Sequence, residues 1–284
     1  MQLYALDKNL RLISCKQAVK QRDYTCLECQ GALRLRGGVF RQPHFYHLHP
    51  SPSCRQNGKS LVHLQVQLVL QNLLPVGECH LEYRFPSIGR VADAAWLQEK
   101  IIFEIQCSPI YPQEIAARNK DYEKEGFTVV WILHDARYNQ QKMSPAETLL
   151  SKSPHYYTDI DENGEGTIYD QLSYFEDGSR IKTIGKHPIH PAYPRSPDEC
   201  CQKIPEITKQ RLVNWRLCFE GDFLDGLNKP ENEDIRRDIQ EALLWEHSQF
   251  TKATAAETVK KWYLLYICRP YKLIFQRILE RACR

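Results

Sequence analysis

Cysteine and histidine residues near the N-terminus are spaced as metal ligands. Cys26 and Cys29 form a CxxC pair, and His47 and Cys54 lie at the end of the strand-like segment that follows and just beyond it. Zinc binds four nitrogen or sulfur ligands in a tetrahedron, and two short ligand pairs on facing turns provide that arrangement. Because four protein ligands leave no open coordination position, the pattern predicts a structural zinc ion. His44 is an alternative ligand, in place of His47 or Cys54, since its spacing also fits.

Two acidic residues in apolar, strand-like segments form a second candidate site. One strand carries Asp93, a tight turn follows, and the next strand carries Glu104 and Gln106. Side chains at positions i and i+2 of a strand share a face, so Glu104 and Gln106 should point the same way. A charged Glu within an apolar strand is costly unless it is paired, and a Mg²⁺ or Mn²⁺ ion shared with Asp93 would pair it. The spacing equally allows Asp93 as a turn residue and Glu104 on an exposed face.

If the two carboxylates share an ion, they must lie close together. We expect their oxygens within about 6 Å of each other, because Mg–O distances are near 2.1 Å. Two such carboxylates repel each other, so the pKa of either Asp93 or Glu104 should be raised when no metal ion is bound.

A helix is predicted directly before these strands. Ser60 can cap its N-terminus, and Pro75 stops it after Leu74. His63 and Gln67 are one turn apart and form a polar stripe on an otherwise apolar helix. We expect this stripe to face the carboxylates and to support the site.

The surrounding pattern predicts an α/β (α+β) fold. Apolar runs predict three strands, then a helix and a further buried strand, over residues 81–85, 91–96, 101–107, 112–125 and 127–133. The last three segments make a plausible right-handed parallel crossover. Arg118 and Tyr122 lie one turn apart on the crossover helix. They are interpreted either as a phosphate contact and active-site support or as a solvated Arg packed over a Tyr.

Composition and charge limit the partners. The 284 residues are 42% hydrophobic and 26% charged, which is typical of a soluble protein with one large or two modest domains. Residues 1–60 contain ten Lys/Arg and three Asp/Glu, although the whole chain carries only +3. A basic module on a near-neutral body favours a polyanion, and charge alone fits DNA, RNA or acidic lipid. Arg34, Arg36 and Arg41 are the expected contacts to DNA phosphates.

The cysteine content indicates the compartment. The N-terminal residues lack the apolar core of a secretory signal, and no apolar run approaches the length that a bilayer requires. Eleven cysteines without such a signal favour a reducing compartment, where clustered cysteine binds metal more often than it forms disulfides. We therefore expect a cytoplasmic protein.

Four regions follow from these patterns. We predict a zinc-ribbon-like module over residues 1–59, an α/β core over 60–150, a turn-rich linker or insertion over 151–200 and a mainly helical C-terminal region over 201–284. The final stretch, 271–284, is amphipathic and basic. A closing helix is favoured there over a docking surface for DNA or a partner.

Several of these motifs, in this order, resemble the competence protein CoiA-like family over roughly residues 10–135. The resemblance is carried by the Cys26/Cys29 pair, the Pro43–His47 segment, Ser60–His63, Asp93, Glu104-x-Gln106, Arg118, Tyr122 and Gly126. It implies a PD-(D/E)xK nuclease-like core with the mixed, helix-flanked sheet of restriction endonucleases. Asp93 and Glu104 then form the acidic pair that binds Mg²⁺ or Mn²⁺, and Gln106 stands where many such enzymes have lysine. The implied role is the processing of DNA that bacteria take up in natural transformation, and we expect single-stranded DNA as the partner.

The chain departs from this pattern at two glutamines. Gln67 stands where a charged residue is expected in relatives, and with Gln106 it leaves the polar cluster without a cation. A metal ion together with Arg90 or Arg118 could substitute in a deoxyribonuclease. Alternatively, the same fold serves as a recombination mediator, which binds DNA alongside recombination proteins and cuts poorly or not at all. An RNA-processing factor is a weaker third hypothesis.

Overall fold

The computed structural model describes residues 1–38, 41–52, 54–171, 173–176, 179–183, 185–196 and 215–228, with single positions 233, 237, 241 and 244. The chain divides into two compact units, Met1–Ile235 and Arg236–Arg284. Every element named below belongs to the first unit. The predicted helix over 271–284 lies outside the described residues.

The N-terminal region forms a small antiparallel sheet. Its strands are β1 (Tyr4–Leu6), β2 (Leu12–Ser14), β3 (Asp23–Thr25), β4 (Ala32–Gly38) and β5 (Arg41–His47), in the spatial order β2-β1-β3-β4-β5. Leu33 and Phe45 are buried within this short-stranded sheet. The sheet turns the Cys26–Cys29 loop, between β3 and β4, towards the end of β5.

A larger mixed sheet follows. Its elements are α1 (Leu61–Leu73), β6 (Cys79–Phe85), β7 (Arg90–Trp96), β8 (Ile101–Gln106), α2 (Pro112–Lys124), β9 (Thr128–His134), α3 (Pro145–Leu150), β10 (His155–Thr158) and β11 (Ile168–Asp170). The short strand β14 (His187–Pro188) also belongs to the large sheet. Two strand pairs lie outside that sheet: β12 (Ser173–Glu176) with β13 (Ser179–Thr183), and β15 (His190–Arg195) with β16 (Cys218–Glu220). The last described helix is α4 (Phe223–Asn228). The strand order of the large sheet is β14-β11-β10-β9-β8-β7-β6.

The predicted strand–helix–strand crossover is confirmed. Strands β8 and β9 are parallel, with Ile101 opposite Thr128 and Gln106 opposite Leu133, and α2 connects them. Strands β6, β7 and β8 pair in antiparallel fashion, as short turns require. The observed bounds of all five predicted segments agree with the prediction to within two residues. The mixed α+β class is therefore confirmed.

The helix ends follow the local sequence. The Ser60 side chain accepts a 3.2 Å hydrogen bond from the backbone N–H of His63, which caps α1 as predicted. Pro112 stands in the first turn of α2, where a missing N–H costs nothing. Gly126 follows the end of α2 with φ of 79°, the left-handed conformation that glycine adopts without strain.

An aromatic core lies under α2. Tyr122 is fully buried and meets Phe85 edge-on at a ring distance of 5.5 Å, while Phe85 also contacts Phe127 at 5.1 Å. Trp131 is completely buried and donates to Asn119 Oδ1 at 2.9 Å, so it is a core residue as its strand position suggests. This packing fixes α2, and with it every side chain that α2 presents to β8.

The region predicted as a turn-rich linker or insertion, 151–200, contributes strands to the large sheet. Strand β10 continues the large sheet in parallel with β9, and β11 and β14 extend it further. The Asp161-Glu-Asn-Gly turn is the connection between β10 and β11, where Asp161 Oδ1 accepts from Asn163 N and Glu165 N. A turn signal marks a change of direction, and a hairpin inside a sheet needs one as much as a linker does.

The C-terminal region was predicted to be mainly helical. Within the described residues 215–228 it contains both a strand and a helix, β16 and α4. Phe219 of β16 stacks on Phe103 of β8 at a ring distance of 5.9 Å and contacts Tyr156 at 5.4 Å. The strand forms because these apolar residues complete the sheet core.

Candidate active site and metal centre

Three carboxylates occupy facing positions on neighbouring strands. The ladder between β6 and β7 pairs Leu81 with Ala94 and Tyr83 with Ala92, which leaves Glu82 and Asp93 facing each other. The ladder between β7 and β8 ends at the pair Ala94–Phe103, and Glu104 is the next residue opposite Asp93. All three are buried, with exposures of 1%, 3% and 1% for Glu82, Asp93 and Glu104. Glu104 is thus not on an exposed face, and Asp93 is not in a turn.

Asp93 is the most heavily bonded of the three. Its Oδ1 lies 2.8 Å from Lys59 Nζ and 3.0 Å from His63 Nε2, and its Oδ2 accepts from the backbone N–H of Ile105 at 2.9 Å. Gln67 Nε2 donates to the Asp93 carbonyl oxygen at 2.8 Å. The His63/Gln67 stripe of α1 therefore does face Asp93.

The charges around Asp93 determine its ionisation. Burial acts to raise the pKa of Asp93, but the neighbouring His63 and Lys59 outweigh it and hold that pKa well below the ordinary value. Burial lowers the pKa of His63, and the charge of Asp93 opposes that shift. Since a carboxylate oxygen can only accept, the N–H group on His63 Nε2 donates to Asp93. The Lys59 amine supplies a positive charge beside the same oxygen.

Lys59 is a cleft residue that no sequence motif indicated. Its ammonium group lies between Asp93 and Glu82, 2.8 Å and 3.5 Å from their respective oxygens, and the side chain is only 7% exposed. Burial acts to lower the pKa of Lys59, but Asp93 and Glu82 raise it above the ordinary value, so the amine stays charged. The expectation that the cluster lacks a cation is wrong. The available signal was its place directly before Ser60, the N-cap of the helix that carries His63.

Glu104 is held from α2. Arg118 Nη1 donates to Glu104 Oε2, and the Tyr122 hydroxyl donates to Oε1 at 2.7 Å. Arg118 also donates to Glu114 at 2.9 Å, and Arg90 binds Glu114 at 2.8 Å. Both Arg118 and Tyr122 therefore support Glu104, and Arg118 is not a solvated residue packed over Tyr122.

One of the two acidic residues has a raised pKa, as expected of neighbouring carboxylates. Burial is the largest cause that raises the pKa of Glu104, and the charge of Asp93 adds to it, while Arg118 and Tyr122 oppose it. The pKa of Asp93, by contrast, is lowered.

An open cleft adjoins the acidic pair. It has a volume of about 580 Å³, and Lys59, Ser60, His63, Asp93, Gln106 and Arg118 are among the residues that line it. Gln106 does not reach the carboxylates, because its Nε2 donates to Ser108 O at 2.6 Å and to Ser108 Oγ at 3.1 Å. The cleft is therefore lined by Asp93, by three cationic side chains (Arg55, Lys59 and Arg118) and by the start of α1.

The predicted zinc ligands converge in the N-terminal sheet. The ligand atoms of Cys26, Cys29, His47 and Cys54 all lie within 4.8 Å of one another. The Sγ atoms of Cys26 and Cys54 are 3.8 Å apart, and His47 Nε2 lies 3.3 Å from Cys29 Sγ and 3.6 Å from Cys54 Sγ. Zn–S bonds near 2.3 Å and Zn–N bonds near 2.1 Å give tetrahedral edges of about 3.8 Å and 3.6 Å. The four residues can hold a metal ion such as zinc.

Backbone and side-chain donors surround these sulfur atoms. Gln2 Nε2 lies 3.1 Å from Cys26 Sγ, and the N–H groups of Glu28 and Gly31 point at Cys26 and Cys29 at 3.5 and 3.4 Å. A Cβ on Gly31 would lie 3.2 Å from Cys29 Sγ, which explains why glycine closes this loop.

His44 lies outside the cluster. It is three residues before His47 on β5, so the two side chains leave opposite faces of the strand. His44 is buried, with Nδ1 2.9 Å from Gln42 O. The geometry therefore favours His47 and Cys54 over His44 as metal ligands.

A short segment joins the two sites. Cys54 belongs to the cysteine–histidine cluster, and Lys59 belongs to the cleft only five residues later. Between them, Arg55 donates to Glu28 and to Gly89 O, the latter at 2.7 Å. The N-terminal region thus contributes a side chain to the cleft instead of forming a separate unit.

The predicted DNA contacts lie in the N-terminal sheet. Arg34 and Arg36 are two residues apart on β4, both exposed, and Arg34 pairs with Asp23 at 2.7 Å. The side chain of Arg41 lies outside the described residues. Among the residues that the structure describes, no helix is long and apolar enough to cross a membrane.

Family models match the N-terminal region with the cysteine–histidine cluster and the region with the acidic pair. The family model described as "Competence protein CoiA, N-terminal domain" matches residues 9–57, and that described as "Competence protein CoiA, nuclease-like domain" matches residues 59–169. Together these matches cover more than half of the chain. Competence protein CoiA of Bacillus subtilis (strain 168) is 27% identical over 139 residues, which is 45% of this chain and 36% of that protein. The chain thus matches about a third of the length of this relative. No solved structure matches.

Proposed function

Since the chain belongs to the competence protein CoiA-like family, we propose that it is a metal-dependent deoxyribonuclease that processes DNA during natural transformation. One observation carries this proposal: Asp93 and Glu104 are buried in facing positions, and Asp93 lines an open cleft. Burying two carboxylates costs several kcal/mol each before compensation. A hydrophobic core does not require two buried carboxylates, whereas a site for a divalent cation does.

The acidic pair is the proposed site for Mg²⁺ or Mn²⁺. Hard divalent cations take carboxylate oxygens together with water and phosphate oxygens. Asp93 and Glu104 would supply the carboxylates, in the arrangement of a PD-(D/E)xK nuclease. Such an ion, when bound, polarises the phosphoryl group and lowers the pKa of an attacking water.

The protein's own residues orient the reaction. His63 and Gln67 fix Asp93 from α1, and Arg118 and Tyr122 fix Glu104 from α2. Arg118 lines the cleft, and its guanidinium group is shared between Glu104 and Glu114. These contacts hold the two carboxylates in place before a substrate enters.

The cysteine–histidine cluster is proposed to hold a structural zinc ion. Its interatomic distances fit a tetrahedral ion, and four protein ligands leave no position for a substrate. Cysteine ligands remain reduced in the cytoplasm, where we place the reaction.

DNA, most readily a single strand, is the proposed substrate. The first sixty residues carry the chain's excess of positive charge, and exposed Arg34 and Arg36 would contact phosphates along one face of β4. Recombination proteins are the class of partner that would receive processed DNA.

A second candidate function is supported by the bonds of the acidic pair. Lys59 and Arg118 already pair with Asp93 and Glu104, and Gln106 is turned towards Ser108. These contacts favour a recombination accessory factor that binds DNA in the cleft without cutting it. The two functions predict opposite outcomes in a cleavage assay.

The test is cleavage of end-labelled single- and double-stranded DNA with Mg²⁺, Mn²⁺ or EDTA. We expect cleavage with either metal, none with EDTA, and loss of cleavage in Asp93→Asn and Glu104→Gln with DNA binding retained. Glu99→Gln, an exposed acid in the β7–β8 turn, is the matched control and should cleave normally. DNA binding without cleavage by the wild type would establish the accessory function instead.

A further inference from the structure

We propose that Lys59 is the catalytic lysine of the cleft. It lies in the segment before α1, whereas many related nucleases carry their lysine at the position of Gln106 on β8. The inference rests on the proposed nuclease function and identifies the group that stabilises its transition state. It also assigns Glu82 as the residue that positions Lys59.

The position of the ammonium group carries this inference. Lys59 Nζ lies 2.8 Å from Asp93 Oδ1, at the wall of the cleft. A phosphate bound beside Asp93 would therefore meet this amine, since Asp93 and Lys59 line the same cavity. Among the described residues, Lys59 is the cation in direct contact with Asp93.

The other candidate groups are already committed elsewhere. Gln106 and Gln67 are neutral, and their amides donate to Ser108 and to the Asp93 backbone. Arg118 is divided between Glu104 and Glu114, so it supports the second carboxylate. Lys59 fills the role that neither glutamine can perform.

Glu82 fixes Lys59 from the opposite side. Its Oε2 accepts from the backbone N–H groups of Leu3 and Tyr4 at 3.0 and 2.9 Å, which leaves Oε1 for Lys59 Nζ at 3.5 Å. The backbone of Glu82 has φ of 50°, an unusual conformation for a residue other than glycine. Such conformations persist where the surrounding structure requires a particular side-chain direction.

The chemistry assigned to Lys59 is electrostatic. Water oxygen forms a bond to phosphorus, the bond from phosphorus to the leaving sugar oxygen breaks, the leaving oxygen gains a proton and the water's proton passes to solvent. The charged amine donates to a non-bridging phosphate oxygen as negative charge grows there. Loss of one such donor typically costs about 10²- to 10³-fold in rate.

Lys59→Met separates this role from a structural one. Removing a cation beside Asp93 should make Mn²⁺ bind several-fold more tightly, measured by titration calorimetry, because the metal no longer competes with the amine. Cleavage at saturating Mn²⁺ should fall about 10²- to 10³-fold. A misfolded site would lose metal binding together with cleavage. Lys124→Met, which removes a surface lysine paired with Asp121, should change neither quantity.

A second variant tests the position of the charge. Lys59→Met/Gln106→Lys returns a cation to the cleft from β8 and should recover part of the lost cleavage. Glu82→Gln should slow cleavage less than Lys59→Met and leave Mn²⁺ affinity nearly unchanged. If Lys59→Met cleaves as fast as the wild type at saturating Mn²⁺, the assignment of Lys59 is wrong and the nuclease function stands. Weaker Mn²⁺ binding by a folded Lys59→Met would have the same consequence. Absence of cleavage by the wild type would overturn the nuclease function and this inference together.

Discussion

The hydroxyl of Tyr122 donates a 2.7 Å hydrogen bond to Glu104 Oε1, and both side chains are buried. This contact joins the crossover helix α2 to the strand that carries one of the two acidic residues. It fixes the direction of the Glu104 carboxylate without adding positive charge, whereas Arg118 fixes and neutralises it. Its energetic contribution can be isolated because one oxygen atom can be removed while the ring is kept.

Tyr122→Phe should lower the free energy of unfolding by about 1–3 kcal/mol, since it leaves a buried acceptor short of a donor. The ring contact with Phe85 is retained, so packing is not the cause. Urea unfolding of the two proteins measures the difference. Tyr111→Phe, at a tyrosine that is 81% exposed, is the control. An unfolding free energy equal to that of the wild type would show that Glu104 needs no donor from Tyr122.

Much of the fold around the site could be predicted from the sequence. Ser60 before an apolar helix, Pro75 after it, and Pro112 and Gly126 around α2 are local signals, and each matches an observed helix end. The strands β7, β8 and β9 follow from apolar runs of the right length. The convergence of the cysteine and histidine ligands follows from their spacing on turns.

The contacts that join distant segments could not be predicted in this way. Lys59 lies in no motif, and its place beside Asp93 depends on where β6 and β7 hold the end of the N-terminal region. Glu82 has no sequence signal either, because its role depends on two backbone N–H groups nearly eighty residues away. Strand β10 could not be predicted because the turn that follows it also fits a linker or an insertion.

The metal content should be about one zinc ion per chain. Cys26→Ser should lose that ion and expose the β4–β5 backbone to hydrogen exchange, because structural zinc binding contributes directly to folding. Since Cys54 and Lys59 share a short segment, amides from 55 to 60 should exchange faster too. Elemental analysis and exchange mass spectrometry measure both effects.

Two matched pairs make this result specific. Cys15→Ser changes another buried cysteine that lies outside the cluster, and it should keep the zinc. His47→Ala should lose the ion, whereas His44→Ala should retain it. The opposite result for the two histidines would reassign the ligand, and a fully folded wild type without metal would contradict the zinc site.

DNA affinity should fall steeply with salt. A protein that makes about four phosphate contacts gives a log–log slope near −3 to −4. Arg34→Glu/Arg36→Glu should weaken binding to all sequences alike and reduce the slope, because backbone contacts carry no sequence information. Fluorescence anisotropy across a salt series measures this, with Lys152→Glu, an exposed lysine after α3, as the control. Salt-independent affinity would contradict binding through phosphates.

The last prediction concerns a buried acidic pair away from the cleft. Burial raises the pKa of Asp170 to about 6 and that of Asp222 to about 7, and the charge of Asp170 contributes to the second shift. Asp170 Oδ2 accepts from Phe223 N at 2.9 Å, and Asp222 Oδ1 accepts from Leu224 N at 3.0 Å and lies 3.6 Å from Arg195. The bond from Phe223 to Asp170 attaches the segment around α4 to the large sheet.

Since both pKa values are higher in the folded state than in the unfolded state, the folded protein binds more protons between about pH 4 and pH 7. This pair's contribution to stability is therefore favourable at low pH and is lost as the pH rises through that range. Asp222→Asn keeps the shape of the side chain and removes the ionisation. Relative to the wild type, the variant should gain on the order of 1–3 kcal/mol in unfolding free energy between pH 5 and pH 8. Urea unfolding at the two pH values gives this difference directly, and the same difference at both would show that Asp222 does not titrate on unfolding.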